Sequence, residues 1–519
     1  MTDAALQQLF RTAIAAADRH RLEDAVVAFR AVLLAQPDYG PALHGLGVAL
    51  RRLGRVAESE AVLRTGIERH PQSVDLLVAL SETLEDWSRL DDAVDLAEKA
   101  HALAPDDGRP MTVLARLRER QGHGGLARAA LETAAASRRP TAAALTALGR
   151  MQRQSGDIAL ARETLDRAVQ IAAKGDMPAA RVQRAIAMLC NGEIAEGFRE
   201  YDWRWKTGLL PSLNPGLPPW TGDPLEGRTL LVRAEQGMSE SLQFFRLAAG
   251  IEGGRVIFEA PPALVPILRA SHRVHEVIPE GDPLPKADCW APLLSLPRLL
   301  KIDADTIPDE VPYLRPDPSL FAPWRERLGP GPKIAIAWQG GEPLFEQRKR
   351  EIPLADFAPL AAVPGVRLIS LQKGEGRQQI DAVPFPVYDP TDEMDEGDAA
   401  FIDTAVVLQE CALVVTADTA IAHLAGALAR PCWTVLPEGG DWRFGWHATQ
   451  SAWYPTMECL RRPPGGSWRD VFDHIARRLI AIREGGVDPA AVDEAGREEG
   501  SEAGVAAPPR TGPGDLTGN

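Results

Sequence analysis

The segment from Val414 to Pro437 combines residue types in a spacing that suits the binding of an anion. An apolar run ends at Asp418, and a helical pattern begins at Thr419. The free backbone N–H groups of the first helical turn, including that of Ala420, and the positive end of the helix dipole form an anion site. Thr419 and His423 can add side-chain donors, so we predict that a sugar-nucleotide diphosphate binds here. The alternative is that Asp418 caps the helix and occupies these donors, while His423 packs against the sheet.

Short apolar runs alternate with helical patterns around this segment and must position it. The runs include TLLVR, RVIFEA, VHEVI, IAIAWQG, VRLISLQ, ALVVTAD and CWTVLP. This order predicts an α/β fold with mostly parallel strands, in which ligands bind at the carboxyl ends of the strands. A proline-rich break near RPDPSLFAPWRERLGPGPK divides the runs into two groups. We therefore predict two Rossmann-like subdomains, 225–328 and 329–482, that face one cleft.

Two segments of this half have the composition of irregular structure. Residues 198–224 are rich in Pro and Gly, and because Pro disfavours both helix and central strand, they are predicted to be a connector. Residues 483–519 are rich in Gly, Glu, Ala and Pro with few large apolar residues, so this tail is predicted to be disordered.

The first part of the chain, residues 1–197, repeats with a period of 34 residues. The columns that recur are Leu46, Leu80, Leu114 and Leu148; Gly54, Ser88, Gly122 and Gly156; and Pro37, Pro71 and Pro105. This pattern predicts helix–turn–helix units, and it resembles the tetratricopeptide repeat. An all-α solenoid of such units typically holds an extended peptide or a partner protein. The alternative is that the array only dimerises the chain or supports its neighbour.

Composition excludes several classes of protein. The 519 residues carry 57 Lys and Arg against 72 Asp and Glu, a net charge of −15, so a broad basic surface for nucleic acid is not expected. Because there is no signal-peptide pattern and no apolar run of the roughly 18 residues that span a bilayer, we expect a cytoplasmic protein without a membrane span. The five cysteines lack CxxC spacing, which predicts buried free thiols.

From residue 198 onward, a series of blocks resembles the GT-B glycosyltransferases of family 9, the heptosyltransferase type, in the branch that carries amino-terminal tetratricopeptide repeats. The blocks include FREYDWRWK, PPWTGDPLEGRTLLVRAEQG, DTIPDEVPYL, IAIAWQGGEP, DTAIAHLAGAL, and DWRF followed by AWYPTM. The resemblance implies sugar transfer without a metal or other cofactor, with the nucleotide-sugar donor on the carboxyl-terminal half and the acceptor on the amino-terminal half. It also argues against a metal site at Asp303 and Asp305, because the family uses this block as a connector.

The resemblance also indicates a catalytic base within AEQGMSESLQF. Relatives usually have Gly-Asp where this chain has Ser239 and Glu240, and that Asp is thought to accept the proton of the acceptor hydroxyl. Glu240 keeps the carboxylate but is one methylene longer, which matters because a base must lie within hydrogen-bond reach of its proton. The alternative is that Glu240 is a first-turn acid on a surface helix.

Further candidates for the donor site lie in two loops. Gln372 and Lys373 stand at the end of the VRLISLQ run, where Lys373 is placed to contact a diphosphate. Arg350 has the guanidinium group that suits phosphate, although a run of RKR is often only a solvated loop. In this second loop, relatives have Asn, His and Asp at the positions of Gly341, Leu344 and Gln347.

The last block matches the closing signature of the family with Asp441, Trp442, Arg443, Trp453 and Tyr454. Aromatic faces at these positions would stack on the base or the sugar of the donor. The alternative is that the rings pack the floor of the cleft.

Three functions are compatible with these patterns. The first is a glycosyltransferase whose repeat array recruits a protein acceptor, for which a flagellin-like surface protein is a plausible identity. The second is a pseudoenzyme that keeps the fold as an interaction scaffold, which the substitutions in the motif loops suggest. The third, transfer to a lipid-linked acceptor, is disfavoured because the chain shows no basic amphipathic membrane face.

Overall fold

The computed structural model describes residues 3–340, 350–396, 400–439, 441–445 and 448–485, with the backbone alone at Arg350. The chain divides into two compact units. The first comprises the residues up to Gln152 together with Ala159–Arg181, and the second comprises Arg153–Ile158 and the chain from Val182 onward. The boundary predicted at residue 197 stays a prediction, and most of the predicted tail, residues 486–519, lies outside the described residues.

Helices of similar length follow one another through the first unit and into the second. They are α1 (Asp3–Asp18), α2 (Leu22–Ala35), α3 (Gly40–Arg52), α4 (Val56–Arg69), α5 (Val74–Asp86), α6 (Leu90–Leu103), α7 (Gly108–Arg120), α8 (Gly124–Ala136), α9 (Ala142–Gln154), α10 (Ile158–Ile171), α11 (Met177–Cys190) and α12 (Ile194–Tyr201). The all-helical repeat array predicted from the sequence is therefore confirmed.

The recurring columns act as the period predicts. Each leucine of the first column is buried, and Gly47, next to Leu46, lies so close to Leu63 that a β-carbon would come within 2.4 Å of that side chain. At the turns, Gly54, Gly122 and Gly156 have positive φ angles of 75°, 79° and 101°. Ser88 occupies the same column with a φ angle of 57°. This conformation is less favourable for a residue with a β-carbon than for glycine.

Ion pairs link the first helices of successive repeats. Arg51 pairs with Glu82, Arg116 with Glu85 at 2.7 Å, and Arg150 with Glu119 at 2.9 Å. The partners lie about one repeat apart in sequence, so they join neighbouring units of the array. These pairs place charged side chains, bonded to one another, on this helical face.

The second unit contains two parallel sheets. Their strands are β1 (Thr229–Arg233), β2 (Arg255–Ala260), β3 (Glu276–Pro279), β4 (Cys289–Pro292), β5 (Lys333–Ala337), β8 (Arg367–Ser370), β9 (Leu413–Ala417), β10 (Cys432–Leu436) and β11 (Met457–Arg461); the short antiparallel pair is β6 (Gln339–Gly340) and β7 (Arg350–Glu351). The helices are α13 (Met238–Ala249), α14 (Val265–Ala270), α15 (Leu296–Leu299), α16 (Phe321–Leu328), α17 (Ala358–Ala361), α18 (Ile402–Gln409), α19 (Ala420–Ala427) and α20 (Trp468–Arg483). The predicted α/β architecture is confirmed, and its assignment to GT-B stays a prediction.

The order of strands defines one switch point in each sheet. The first sheet has the order β3-β2-β1-β4. Strands β2 and β3 are added on one side of β1 and β4 on the other, so the switch point lies between β1 and β4. The second sheet has the order β11-β10-β9-β5-β8, so its switch point lies between β5 and β9. Crevices outside the carboxyl ends of strands at such points are the usual ligand sites of open α/β sheets.

The two sheets contribute side chains to one hydrophobic core, and the arrangement of two subdomains that face one cleft stays a prediction. Helices α13 and α19 pack against each other, and the backbone N–H of Tyr313 donates to the carbonyl of Ala427 at 3.0 Å. Buried side chains of both sheets, such as Val232 and Val414, belong to the same cluster. The predicted connector also differs in detail, because residues 198–206 are helical and irregular backbone begins at Thr207.

We predict that Gly47→Ala destabilises the repeat array. The added β-carbon collides with Leu63, and overpacking of about 1–3 kcal/mol exceeds the gain in helix propensity of about 1 kcal/mol. Gly125→Ala, in α8 with no atom within 4 Å of the position that a β-carbon would take, should be neutral or stabilising. Urea unfolding followed by the helical circular-dichroism signal compares the two variants. Equal midpoints would show that the Gly47 contact is not tight.

Candidate functional site

The turn after β1 is held by a buried ion pair. Arg204, fully buried, donates to both carboxylate oxygens of Glu235 at 2.8 and 2.7 Å. Glu235 also accepts the backbone N–H of Leu294, just beyond β4, at 2.9 Å. Burial alone lowers the pKa of Arg204, but the Glu235 carboxylate outweighs this effect and raises it. The pair therefore fixes the two strand ends at the first switch point and is not itself available for chemistry.

Glu240 lies in the first turn of α13, the helix that follows this turn, and its side chain contacts Arg443 of the second half of the unit. Its Oε1 accepts a hydrogen bond from Nη2 of Arg443, whose Nη1 donates to Asp441 at 2.8 Å. The side chain of Glu240 is 11% exposed and that of Arg443 is 4% exposed. Glu240 is consequently not a surface acid of a free helix. Its carboxylate is held by one oxygen in a buried contact between the two halves.

The second switch point carries the predicted anion site. Asp418 follows β9 and is 2% exposed, and Thr419 is the N-cap of α19, its hydroxyl accepting the N–H of Ile421 at 3.2 Å. The cap is thus Thr419 and not Asp418, as one alternative had it. His423 is fully buried, with Nδ1 3.1 Å from the hydroxyl of Tyr454. Its ring stacks on that of Phe444 in the interior and also lies near the ring of Tyr454, whereas the packing alternative expected contact with the sheet.

The other donor-site candidates have protein partners. Gln372 uses its whole amide: Oε1 accepts the N–H groups of Trp338 and Gln339, and Nε2 donates to the carbonyls of Gln339 and Glu375. Gln372 therefore connects the backbone just beyond β5 with the backbone just beyond β8. The Nζ of Lys373 donates to the carbonyl of Met394. The backbone of Arg350 pairs with Gly340 in the short β6–β7 ladder. The side chain of Arg350 and residues Gly341, Leu344 and Gln347 lie outside the described part of the structure.

The signature aromatics are buried between the halves. Trp442, Trp453 and Tyr454 are 4%, 1% and 1% exposed. The ring of Trp442 meets that of Phe198 edge-on at 5.5 Å, and that of Trp453 meets Phe244 at 5.2 Å. These rings pack in the floor of the site, and they present little surface for stacking on a ligand.

A crevice opens beside the first switch point, at the carboxyl ends of three strands. We call it the strand-end crevice; its volume is about 240 Å³. It is lined by the turn 234–237 after β1, by Pro261 after β2 and by Glu280 after β3, while Trp205 and Leu213 of the preceding segment form the opposite wall. Arg233 holds this wall by donating to the carbonyl of Leu213.

Sequence reasoning selected Glu240, Asp441 and Arg443 but did not join them, and it missed Arg204 and Glu235. Both missed residues stand in blocks that were recognised, FREYDWRWK and AEQG. Arg204 stands between Trp203 and Trp205, but Glu235 stands between Ala234 and Gln236, so the local sequence does not mark the two residues as a buried pair.

Other classes of site receive no support from the described residues. Within them, no group of three or more His, Cys, Asp or Glu side chains is arranged to hold a metal ion. All five cysteines are buried and free, and burial raises the pKa of Cys411, Cys432 and Cys459 to about 12, so these thiols are unreactive. No helix in the part of the chain that the structure describes is long and apolar enough to cross a membrane.

Comparison with known families identifies the first unit. The model of the tetratricopeptide repeat matches residues 10–74, 45–108 and 112–176. The amino-terminal region is a tetratricopeptide-repeat array. This family covers less than half of the chain, and the parallel sheets lie beyond it.

Comparison with individual proteins gives one relative over most of the chain. The chain is similar to Protein FlbA of Caulobacter vibrioides, with 23% identity over 477 residues that cover 86% of this chain and 74% of that protein. Among solved structures it is similar to a thermophilic tetratricopeptide-repeat protein of Thermus thermophilus, with 22% identity, 36% of this chain and 99% of that chain covered, and a TM-score of 0.31. It is also similar to Pseudomonas aeruginosa pilF, with 16% identity, coverage of 40% and 90%, and a TM-score of 0.31.

We predict that Glu235→Ala destabilises the second unit by about 3–5 kcal/mol, because it leaves the buried Arg204 without its main partner. The control is Glu276→Ala, which breaks the exposed pair of Glu276 with Arg255 and should cost at most about 1 kcal/mol. Thermal unfolding followed by tryptophan fluorescence reports on this unit, since all tryptophans except Trp87 lie beyond residue 200. Similar melting temperatures for the two variants would contradict the assigned role of the pair.

Proposed function

We propose that this protein is a glycosyltransferase that moves a sugar from a nucleotide-sugar donor to a protein acceptor recruited by the repeat array. One observation carries the proposal: the candidate base and the candidate anion site stand at the switch points of two parallel sheets, and the Glu240–Arg443 contact joins the two halves. A transferase needs a donor site and an acceptor site that meet at one point, and this arrangement is consistent with that requirement.

The donor diphosphate is assigned to the amino terminus of α19. Thr419, the N-cap of α19, is 7% exposed, so this end of the helix lies in the interior and not on the protein surface. Backbone N–H groups and the helix dipole stabilise the negative charge that accumulates on the departing diphosphate. No metal is needed for this step, in keeping with the resemblance to metal-independent transferases.

Glu240 is assigned as the base that accepts the proton of the acceptor hydroxyl. Arg443 fixes Oε1, so the other carboxylate oxygen, Oε2, is the one that remains for the substrate. A β-carbon on Gly237, a residue that lines the strand-end crevice, would lie 3.1 Å from this Oε2. Positioning of this kind accounts for a large part of transferase catalysis.

The repeat array supports a protein as the acceptor. Tetratricopeptide repeats present extended surfaces for other polypeptides. The acceptor class suggested by the family resemblance is a flagellin-like surface protein.

A second candidate function is a pseudoenzyme that acts as an interaction scaffold. The observation that favours it is the engagement of the site by the protein itself: Arg443 holds Glu240, His423 is buried against Tyr454, and α13 packs on α19. In this case the second unit would bind no donor and would serve to organise partners of the repeat array.

We predict that the full-length protein binds one nucleotide, the nucleoside phosphate of its donor, and that Thr419→Ala weakens this binding by about tenfold, the loss expected for one hydrogen bond to a charged group. Calorimetric titration with UDP, GDP, ADP, dTDP and CMP identifies the nucleotide. Thr419→Ser keeps the hydroxyl and should bind like the wild type. Ser73→Ala removes a cap from α5 in the repeat array and should leave the affinity unchanged. Absence of binding to all five nucleotides would favour the pseudoenzyme.

We predict that Glu240→Gln lowers the rate of sugar transfer by at least about tenfold, because a general base contributes about 10²–10⁴ in rate. Nucleotide affinity should be unchanged, since Gln keeps an acceptor for Arg443. Glu410→Gln, which alters a carboxylate paired with Arg325 away from the site, is the control. Unchanged transfer by Glu240→Gln would exclude Glu240 as the base.

A further inference from the structure

The strand-end crevice has a chemistry that selects among acceptors. Its ten lining residues include no Lys, Arg or His. Two carboxylates line it: Glu235 is neutralised by Arg204, whereas Glu280 is exposed and lies at the end of β3. A phosphate or carboxylate group that entered would meet like charge without a compensating cation, which costs binding energy.

The walls of the crevice are apolar and are made by short segments. Trp205, Leu213 and Pro261 form apolar parts of these walls. The hydrogen bond that Arg233 donates to the carbonyl of Leu213 holds the outer wall in place. Such walls suit the aliphatic and backbone carbon atoms of a neutral ligand. Apolar contact provides affinity, and a few polar groups provide orientation.

The candidate base lies close to one lining residue of the crevice. Gly237 lines the crevice, and a β-carbon on Gly237 would lie 3.1 Å from Oε2 of Glu240, which is not itself a lining residue. Since Oε1 is bonded to Arg443, a hydroxyl group at the Gly237 edge would meet the oxygen that remains to accept its proton. The required ligand is therefore uncharged near this point and carries a hydroxyl group.

We propose that the strand-end crevice binds the acceptor as an uncharged peptide segment, with a Ser or Thr side chain at the Gly237 edge. The inference rests on the proposed function and narrows its acceptor class. The repeat array favours a polypeptide over a free carbohydrate, and the acidic lining disfavours a phosphorylated acceptor. Glu280 then acts as a specificity residue, and Leu213 as part of the binding wall.

The test measures peptide binding without any donor. Immobilised short peptides composed of Ser, Thr, Gly, Ala and Asn are compared with the same peptides carrying phosphoserine, with glucose and N-acetylglucosamine as dissolved competitors. Full-length protein is the analyte in biolayer interferometry. We expect at least one uncharged peptide to bind and its phosphorylated form to bind at least about tenfold more weakly.

Two tryptophan variants separate the crevice from other peptide sites. Leu213→Trp fills the crevice and should weaken binding of the uncharged peptide by at least about tenfold. Leu209→Trp lies on the same segment but outside the lining, at a side chain that is 60% exposed, and should have no effect. Glu280→Lys should reduce the preference for the uncharged over the phosphorylated peptide. As Glu280 is exposed, this variant keeps the fold even if Leu213→Trp does not.

Several results would overturn the inference: no uncharged peptide binds, the phosphorylated peptides bind better, the sugars displace the peptide, or binding persists unchanged in Leu213→Trp. The last result would place the peptide on another surface such as the repeat array. The nucleotide titration is independent of these outcomes. Nucleotide binding without peptide binding in the crevice would contradict this inference alone. Peptide binding without nucleotide binding would contradict the proposed function.

Discussion

The geometry of the second unit depends on the hydrogen bonds that the buried guanidinium group of Arg443 donates to two carboxylates. This group connects the helix that follows the first switch point, through Glu240, with the loop that follows β10, through Asp441. Burial alone lowers the pKa of Arg443, but the two carboxylates outweigh this effect and raise it, so the group stays charged. An ion pair in the interior adds little net stability, yet it tolerates few alternative arrangements because each charge must keep its partner.

Large apolar side chains surround this contact and make it rigid. The Arg443 guanidinium lies 4.4 Å from the centroid of the Trp442 ring, and that ring packs against Phe198 from the segment before the first sheet. A second buried guanidinium, that of Arg246, lies 4.5 Å from the Tyr454 ring and donates to the carbonyl of Trp453 at 2.6 Å. Two buried guanidinium groups and several aromatic rings thus pack together in the core of the second unit. The proposed site would therefore have a floor that side-chain packing holds in place.

The repeat array follows a different physical rule. Each helical pair packs on its neighbours, and ion pairs such as Arg150 with Glu119 connect adjacent repeats. Stability in such an array is a sum of local terms, so it can change in one repeat without altering the others. The second unit behaves in the opposite way, since Glu235 bonds both to Arg204 and to the backbone beyond β4. The proposed recognition of a partner would therefore use an array with local contacts, whereas the proposed transfer chemistry would use a unit whose contacts join distant segments.

The sequence by itself determined the features that depend on neighbouring residues. The 34-residue period, the left-handed turns at Gly54 and its equivalents, the parallel strands and the start of a helix at Thr419 all follow from local patterns of small, apolar and capping residues. The tertiary structure alone decided the contact of Glu240 with Arg443, which are 203 positions apart, and the pairing of Arg204 with Glu235. It also decided that His423 and the signature aromatics are buried. Periodicity specifies which face of an element is apolar, but the partner of a buried charge is set by packing between distant elements, and no local pattern encodes it.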